Sequence, residues 1–132
     1  MVNKADVPPR VLENLRSRCL ALPETYEEQA WVGTRWCVRK KTFAHVLVVE
    51  DGRPASYAKA AGTDGPACVL TFRSTEDPEA LGPQCFRAVW GTNWGADVVG
   101  LVLAGRIPWK AIGEMLTESY RLMAPARLAA QV

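Results

Sequence analysis

The chain is predicted to fold as an α+β two-layer sandwich, a mostly antiparallel sheet with the N- and C-terminal helices on one face. Two observations predict it. Apolar residues recur at helical spacing near both ends, and between them the period falls towards two, interrupted by turns rich in Gly and Pro. Helices flanking a run of short strands bury their apolar stripes against the sheet, which gives two layers. The 132 residues make one domain, 1–132, without internal repeat or linker. That length suffices to bury roughly two thirds of the surface of the unfolded chain.

Pro8 and Pro9 open the first helix, where a missing amide hydrogen costs least. Val11, Leu12, Leu15, Cys19 and Leu22 form its apolar stripe, and Pro23 ends it. Residues 26–31 are expected as the first strand, broken by Gly33, with 34–38 and 42–49 next, joined through Arg39-Lys40-Lys41. The run 44–49 is β-branched and apolar, which suits a central strand. Asp51-Gly52-Arg53-Pro54 reads as a turn and residues 61–66 as a loop. Residues 67–73 form another strand, and 74–83 a loop holding one helical turn. Strands at 86–90 and 96–103, about the turn Gly91-Thr92-Asn93-Trp94-Gly95, complete the sheet. The last helix is the clearest element: Trp109, Ile112, Met115, Leu116, Ser119, Tyr120 and Met123 share one face, and Ala124-Pro125 stops it.

Composition bounds the class. Apolar residues at 48% and charged residues at 23% place the chain among globular proteins, away from disorder. No apolar run approaches the ~20 residues of a membrane span, and the N-terminus lacks the apolar core of a signal peptide. Cys19, Cys37, Cys68 and Cys85 are widely spaced beside apolar neighbours. They read as reduced core thiols of a cytoplasmic protein, not as disulfides or metal ligands. No metal site and no cofactor are expected, because no ligand spacing and no phosphate-binding glycine loop occur.

Charge is concentrated in one place. Between Glu28 and Glu50 there is no acid, and Arg35, Arg39, Lys40 and Lys41 all fall there. With those four set aside, 12 of the 16 positive residues remain against 14 negative ones, so the formal charge of +2 comes from this segment. A basic hairpin flanked by Trp36 and Phe43 suits a phosphate backbone or another anion, and equally suits a solvated sheet edge that resists aggregation. Of the five tryptophans, Trp31, Trp90 and Trp109 are expected in the core. Trp36 and Trp94 stand beside turns and are candidates for stacking on bases.

No enzyme signature emerges. His45, the one histidine, lies in a predicted strand. A triad, or a cysteine nucleophile such as Cys37, would have to use it, but a hydrogen-bonded strand histidine is the expected role.

The order of these features resembles the MmcQ/YjbR family of small bacterial proteins. The residues concerned are Leu22-Pro23-Glu24, Glu27-Glu28, Trp31-Val32-Gly33 and the run from Trp36-Cys37-Val38 through Arg39-Lys40-Lys41-Thr42-Phe43-Ala44. Trp94-Gly95, Val99-Gly100-Leu101-Val102-Leu103, Trp109, Glu118-Ser119-Tyr120-Arg121-Leu122 and Ala124-Pro125-Ala126-Arg127-Leu128 complete the likeness, which spans nearly the whole chain. The resemblance implies a fold similar to bacterial frataxin (CyaY-like) and a DNA-binding double-wing motif, with hairpins 35–43 and 86–98 as the wings. This chain has Arg39-Lys40-Lys41 where glycines are common in the family. The frataxin likeness also suggests iron, but that activity leans on an acidic first helix, and here Glu13 stands against Arg10, Arg16 and Arg18.

The function expected is therefore non-enzymatic DNA binding with weak sequence preference. Arg35, Arg39, Lys40 and Lys41 would contact phosphates, with Trp36 or Trp94 stacking. The alternative is a small-molecule or protein-binding module using a cleft beside the sheet, near the Trp90 to Gly95 turn.

Overall fold

Tandem prolines set the first boundary. Pro8 is extended and caps α1 (Pro9–Cys19), whose Val11, Leu15 and Cys19 are buried. The structure is a computed structural model that describes residues 6–82, 84–87 and 97–132. After α1 come β1 (Thr25–Gln29), β2 (Thr34–Val38), β3 (Lys41–Val49), α2 (Ala55–Ala61), β4 (Ala67–Arg73), α3 (Pro78–Leu81) and β5 (Cys85–Arg87). The chain ends with β6 (Val98–Leu103), α4 (Trp109–Met123) and α5 (Ala126–Ala129). The strands form a six-stranded sheet in the order β1-β2-β3-β4-β6-β5, every neighbour antiparallel. This is the expected α+β architecture.

The main core lies between the sheet and α1 and α4. Trp36, Val38, Phe43, Ala44 and Val46 meet Leu70, Phe72, Val99 and Leu101 on the sheet side, and Leu15, Ile112, Leu116 and Tyr120 on the helix side. A smaller core on the opposite face holds Leu47, Val49 and Val69 under Tyr57 and Ala58 of α2. The sequence gives no element over residues 55–61. This helix is seven residues long and buries only Tyr57 and Ala58, too few positions to show a period. Phe86 adds to this side by lying over Gly100, where any Cβ would overlap its ring.

One irregularity in β3 organises the helix-facing core. Trp36 pairs with Ala44 and Cys37 with Thr42, so Phe43 has no partner on β2. The extra residue is a β-bulge, and it puts Phe43 and Ala44 consecutively in the same core. The Phe43 carbonyl accepts a 2.6 Å hydrogen bond from the hydroxyl of Ser119, which itself accepts one of 2.8 Å from the Arg73 amide. Ser119 is fully buried. One hydroxyl thus joins β3 and the end of β4 to α4. Its neighbour Tyr120 packs edge-on against Phe43, ring centroids 5.6 Å apart, and donates a 2.7 Å bond to the Pro23 carbonyl.

Boundaries differ from expectation where turns intervene. The first strand ends at Gln29, two residues early, because the Ala30 amide bonds back to the Gly33 carbonyl at 3.0 Å and closes a turn. Gly33, at φ +80°, passes so close to β3 that a Cβ would overlap the Val46 carbonyl oxygen. Of the strand expected at 86–90, the described part is Cys85–Arg87; residues 88–96, with Trp90 and the Gly91 to Gly95 turn, lie outside the described residues. Cys19, Cys37, Cys68 and Cys85 are free thiols, the first three buried. No helix among the described residues is long and apolar enough to cross a membrane.

Replacing Ser119 with Ala deprives the half-buried Arg73 amide and the buried Phe43 carbonyl of this partner, so it is expected to cost about 2–4 kcal/mol. Urea unfolding of the variant checks this; a loss under half a kilocalorie would show that the bulge is held by other contacts.

Candidate functional site

Val38 pairs with Lys41, so the basic hairpin closes through a two-residue turn, Arg39-Lys40. Both residues are left-handed, at φ +50° and +67°, as in a type I′ turn that ordinarily selects Asn-Gly. Side chains with a Cβ are disfavoured there by roughly 1 kcal/mol or more each. Arg39, Lys40 and Lys41 are exposed. Arg39 pairs with Glu24 at 3.1 Å, and Arg127 of α5 approaches the other oxygen of Glu24 at 3.8 Å. Glu24 is itself left-handed, at φ +58°.

Three of the four non-glycine residues with positive φ among the described residues therefore meet at one corner; Asp51 is the fourth. At the corner two cations, Arg39 and Arg127, approach one carboxylate, with Lys40 and Lys41 next to Arg39 along the chain, and the Tyr120–Pro23 hydrogen bond ties it to α4. The sequence reading missed Arg127. Its position depends on the chain's return after α4, which no local pattern announces.

The other expected contact residues separate from this corner. Arg35 sits four residues back along β2, roughly 13 Å at the ordinary strand rise. It pairs across the strands with Glu28, Nε to Oε1 at 2.7 Å with Nη2 on the same oxygen.

Trp36 is corrected outright: it is 0% exposed. Its indole N–H donates to Glu27 at 2.9 Å, and Arg16 of α1 holds that carboxylate with two bonds of 2.8 and 2.9 Å. A ring enclosed this way cannot stack on a base. Trp94 lies outside the described residues. Trp31, expected in the core, is instead 93% exposed. It occupies the β1–β2 turn, while Trp36, facing Ala44 across β2 and β3, takes the core position. Trp109 packs at the edge of the core with the Arg18 guanidinium 5.3 Å from its ring centre.

A second feature lies on the α2 side of the sheet, where Trp31, Val32, Arg35, Thr42, Ser56 and Tyr57 enclose a cleft of about 260 Å³. His45 forms part of its lining. The His45 ring bonds the Val32 carbonyl through Nε2 at 2.6 Å, and Nδ1 lies 3.3 Å from the Tyr57 hydroxyl. A carbonyl only accepts, so Nε2 carries the proton and Nδ1 accepts from Tyr57. Both nitrogens are thus engaged, and Cys37 has Thr42 as its side-chain neighbour at 3.6 Å, so no nucleophile–base pair forms between Cys37 and His45. Burial lowers the His45 pKa, opposed by the Val32 bond and assisted by the Arg35 charge. Burial pushes the Tyr57 phenol up to about 12. Among the described residues no group of three or more His, Cys, Asp or Glu converges as a metal site.

The architecture defines a class, the antiparallel α+β sandwich. A crystal structure of a protein from Pseudomonas syringae, target PsR293 of the Northeast Structural Genomics Consortium, has the same fold, with a TM-score of 0.57 at 13% identity over 89% of this chain and 99% of that one. The YjbR family model matches residues 20–122, well over half the chain, and the protein belongs to the YjbR family. No curated protein matches the sequence.

The His45 geometry gives a pH dependence of definite sign. Its native pKa lies below the ordinary 6.5, so under acid the unfolded chain takes up a proton that the native state refuses. The His45 contribution should be constant above pH 6.5 and then diminish as pH drops towards the lowered native value, with a limiting slope of about 1.4 kcal/mol per pH unit. Glu27, lowered chiefly by its hydrogen bond to Arg16, contributes separately: its share is lost only below its ordinary 4.5. Urea midpoints at pH 7.5 and 5.5 for wild type and His45→Gln test this, the variant showing the smaller difference.

Proposed function

We propose that this YjbR protein binds nucleic acid without chemistry, through the corner formed by the exposed turn Arg39-Lys40, the adjoining Lys41, and Arg127, which shares Glu24 with Arg39. One observation carries the reading: two cationic side chains occupy the left-handed positions of a tight turn that glycine or asparagine would fill with less strain, and the carboxylate beside them is left-handed too. Strain of this kind persists where the surrounding structure enforces it, and it collects at functional places. Phosphate is the ligand suited to several cations on a fixed turn.

The helix that a base-reading protein would insert into a groove is committed elsewhere. α4 buries Ile112, Leu116, Ser119 and Tyr120 against the sheet. Contact is therefore with the backbone, and sequence preference is weak. Arg35 and Trp36 have no part in the site so defined.

Three or four neutralised phosphates should make the affinity fall between about 50 and about 200 mM salt by roughly 40- to 150-fold for duplex DNA and roughly 20- to 50-fold for single-stranded DNA. The double variant Arg39→Asn/Lys40→Gly installs the preferred turn residues and removes two cations. It is expected to be more stable than wild type by about 1 kcal/mol. It should also bind more weakly, with a salt slope smaller by nearly two. Fluorescence anisotropy and urea unfolding on the same preparations measure both, and an unchanged slope in the stabilised variant would remove the turn from the site.

A further inference from the structure

Independently of the nucleic-acid reading, we propose that the cleft on the α2 side of the sheet binds an uncharged, flat aromatic molecule of about two fused rings that carries a hydrogen-bond acceptor. Three observations lead there: the size of the cleft, its walls and its charge. An engineered apolar cavity of roughly 150 Å³ takes one benzene, and this cleft encloses about 260 Å³. Its walls include the indole of Trp31, the side chain of Val32 and the ring of Tyr57. Trp31 is 93% exposed at the mouth, an aromatic surface left to water unless a ring lies against it.

The polar side supplies donors and no net charge. Arg35 spends Nε and Nη2 on one oxygen of Glu28, which fixes the guanidinium plane and leaves Nη1 without a partner among the described residues. Ser56 borders the same space, as does Thr42, whose hydroxyl lies 3.6 Å from the Cys37 thiol. Because Glu28 already balances Arg35, a carboxylate entering here would meet a paired cation and a nearby like charge. A carbonyl or amide oxygen can accept from the guanidinium without that repulsion. The wall is set in advance: His45 bridges Val32 and Tyr57, and its ring stands edge-on to Tyr57 at 6.0 Å.

The test uses 2-naphthamide and 2-naphthoate, two probes of one shape that differ in charge, titrated into the isotopically labelled full chain and followed by NMR. The amide should shift the indole N–H of Trp31 and the Nε–H of Arg35, with an affinity that changes less than about twofold between about 20 and about 200 mM salt. The naphthoate should bind roughly tenfold more weakly. Trp31→Ala and Ser56→Phe alter exposed side chains, so both variants should fold. Each should weaken naphthamide binding by roughly tenfold while leaving DNA binding as in wild type. The turn variant Arg39→Asn/Lys40→Gly should bind naphthamide normally. Equal affinity for the two probes would overturn the uncharged ligand. Shifts confined to other residues, no binding up to the solubility of the amide, or full affinity in Trp31→Ala would overturn the site.

Discussion

Much of this structure depends on the hydroxyl of Ser119. It is fully buried, gives its proton to the carbonyl of a bulged residue and accepts from the last amide of the neighbouring strand. Each strand atom would otherwise need a partner inside a core built from Phe43, Phe72 and Leu116. The next residue, Tyr120, continues the work by gripping Pro23, just before the left-handed Glu24. Two consecutive residues of α4 thus fix the bulge behind the basic turn and the corner that receives Arg39. The exposed cations rest on a support that is itself apolar, hydrogen-bonded and inaccessible to water.

Elements with long, regular patterns were legible in the sequence, and features made by contact between distant segments were not. α4 announces itself through seven positions on one face, and the central strand through its β-branched run. α2 does not, since it buries only two residues. The tryptophans were misplaced for an instructive reason. Trp36-Cys37-Val38 is apolar throughout, so alternation cannot say which side faces the helices, and the bulge at Phe43 then shifts the register. Trp31 looks like a core residue until Gly33 turns the chain and leaves its ring in water.

The candidate sites divide in the same way. Arg39, Lys40 and Lys41 are neighbours in sequence and were found together, whereas Arg127 joins them only through tertiary structure. The cleft draws on residues 30–35, 42–45 and 56–57, three segments with no shared spacing to reveal it. β2 serves both places, with a compensated cation at one end and a turn crowded with charge at the other. The two proposed sites would thus lie about 13 Å apart on one strand, one of balanced charge and one of excess positive charge.

The bulge also sets the length of the turn. If Phe43 were taken up into regular pairing, Val38 would face Thr42 instead of Lys41, and the hairpin would close through Arg39, Lys40 and Lys41 together. A three-residue turn of that kind commonly ends in a left-handed residue best filled by glycine. In this chain the spare residue is stored inside the strand, beneath Ser119, and the loop is shortened by one. Slack in the backbone has been moved from the solvent side to the core. A relative that loses the bulge is then expected to lengthen its turn in the same step, so that insertions in the loop and deletions in the strand occur as a pair.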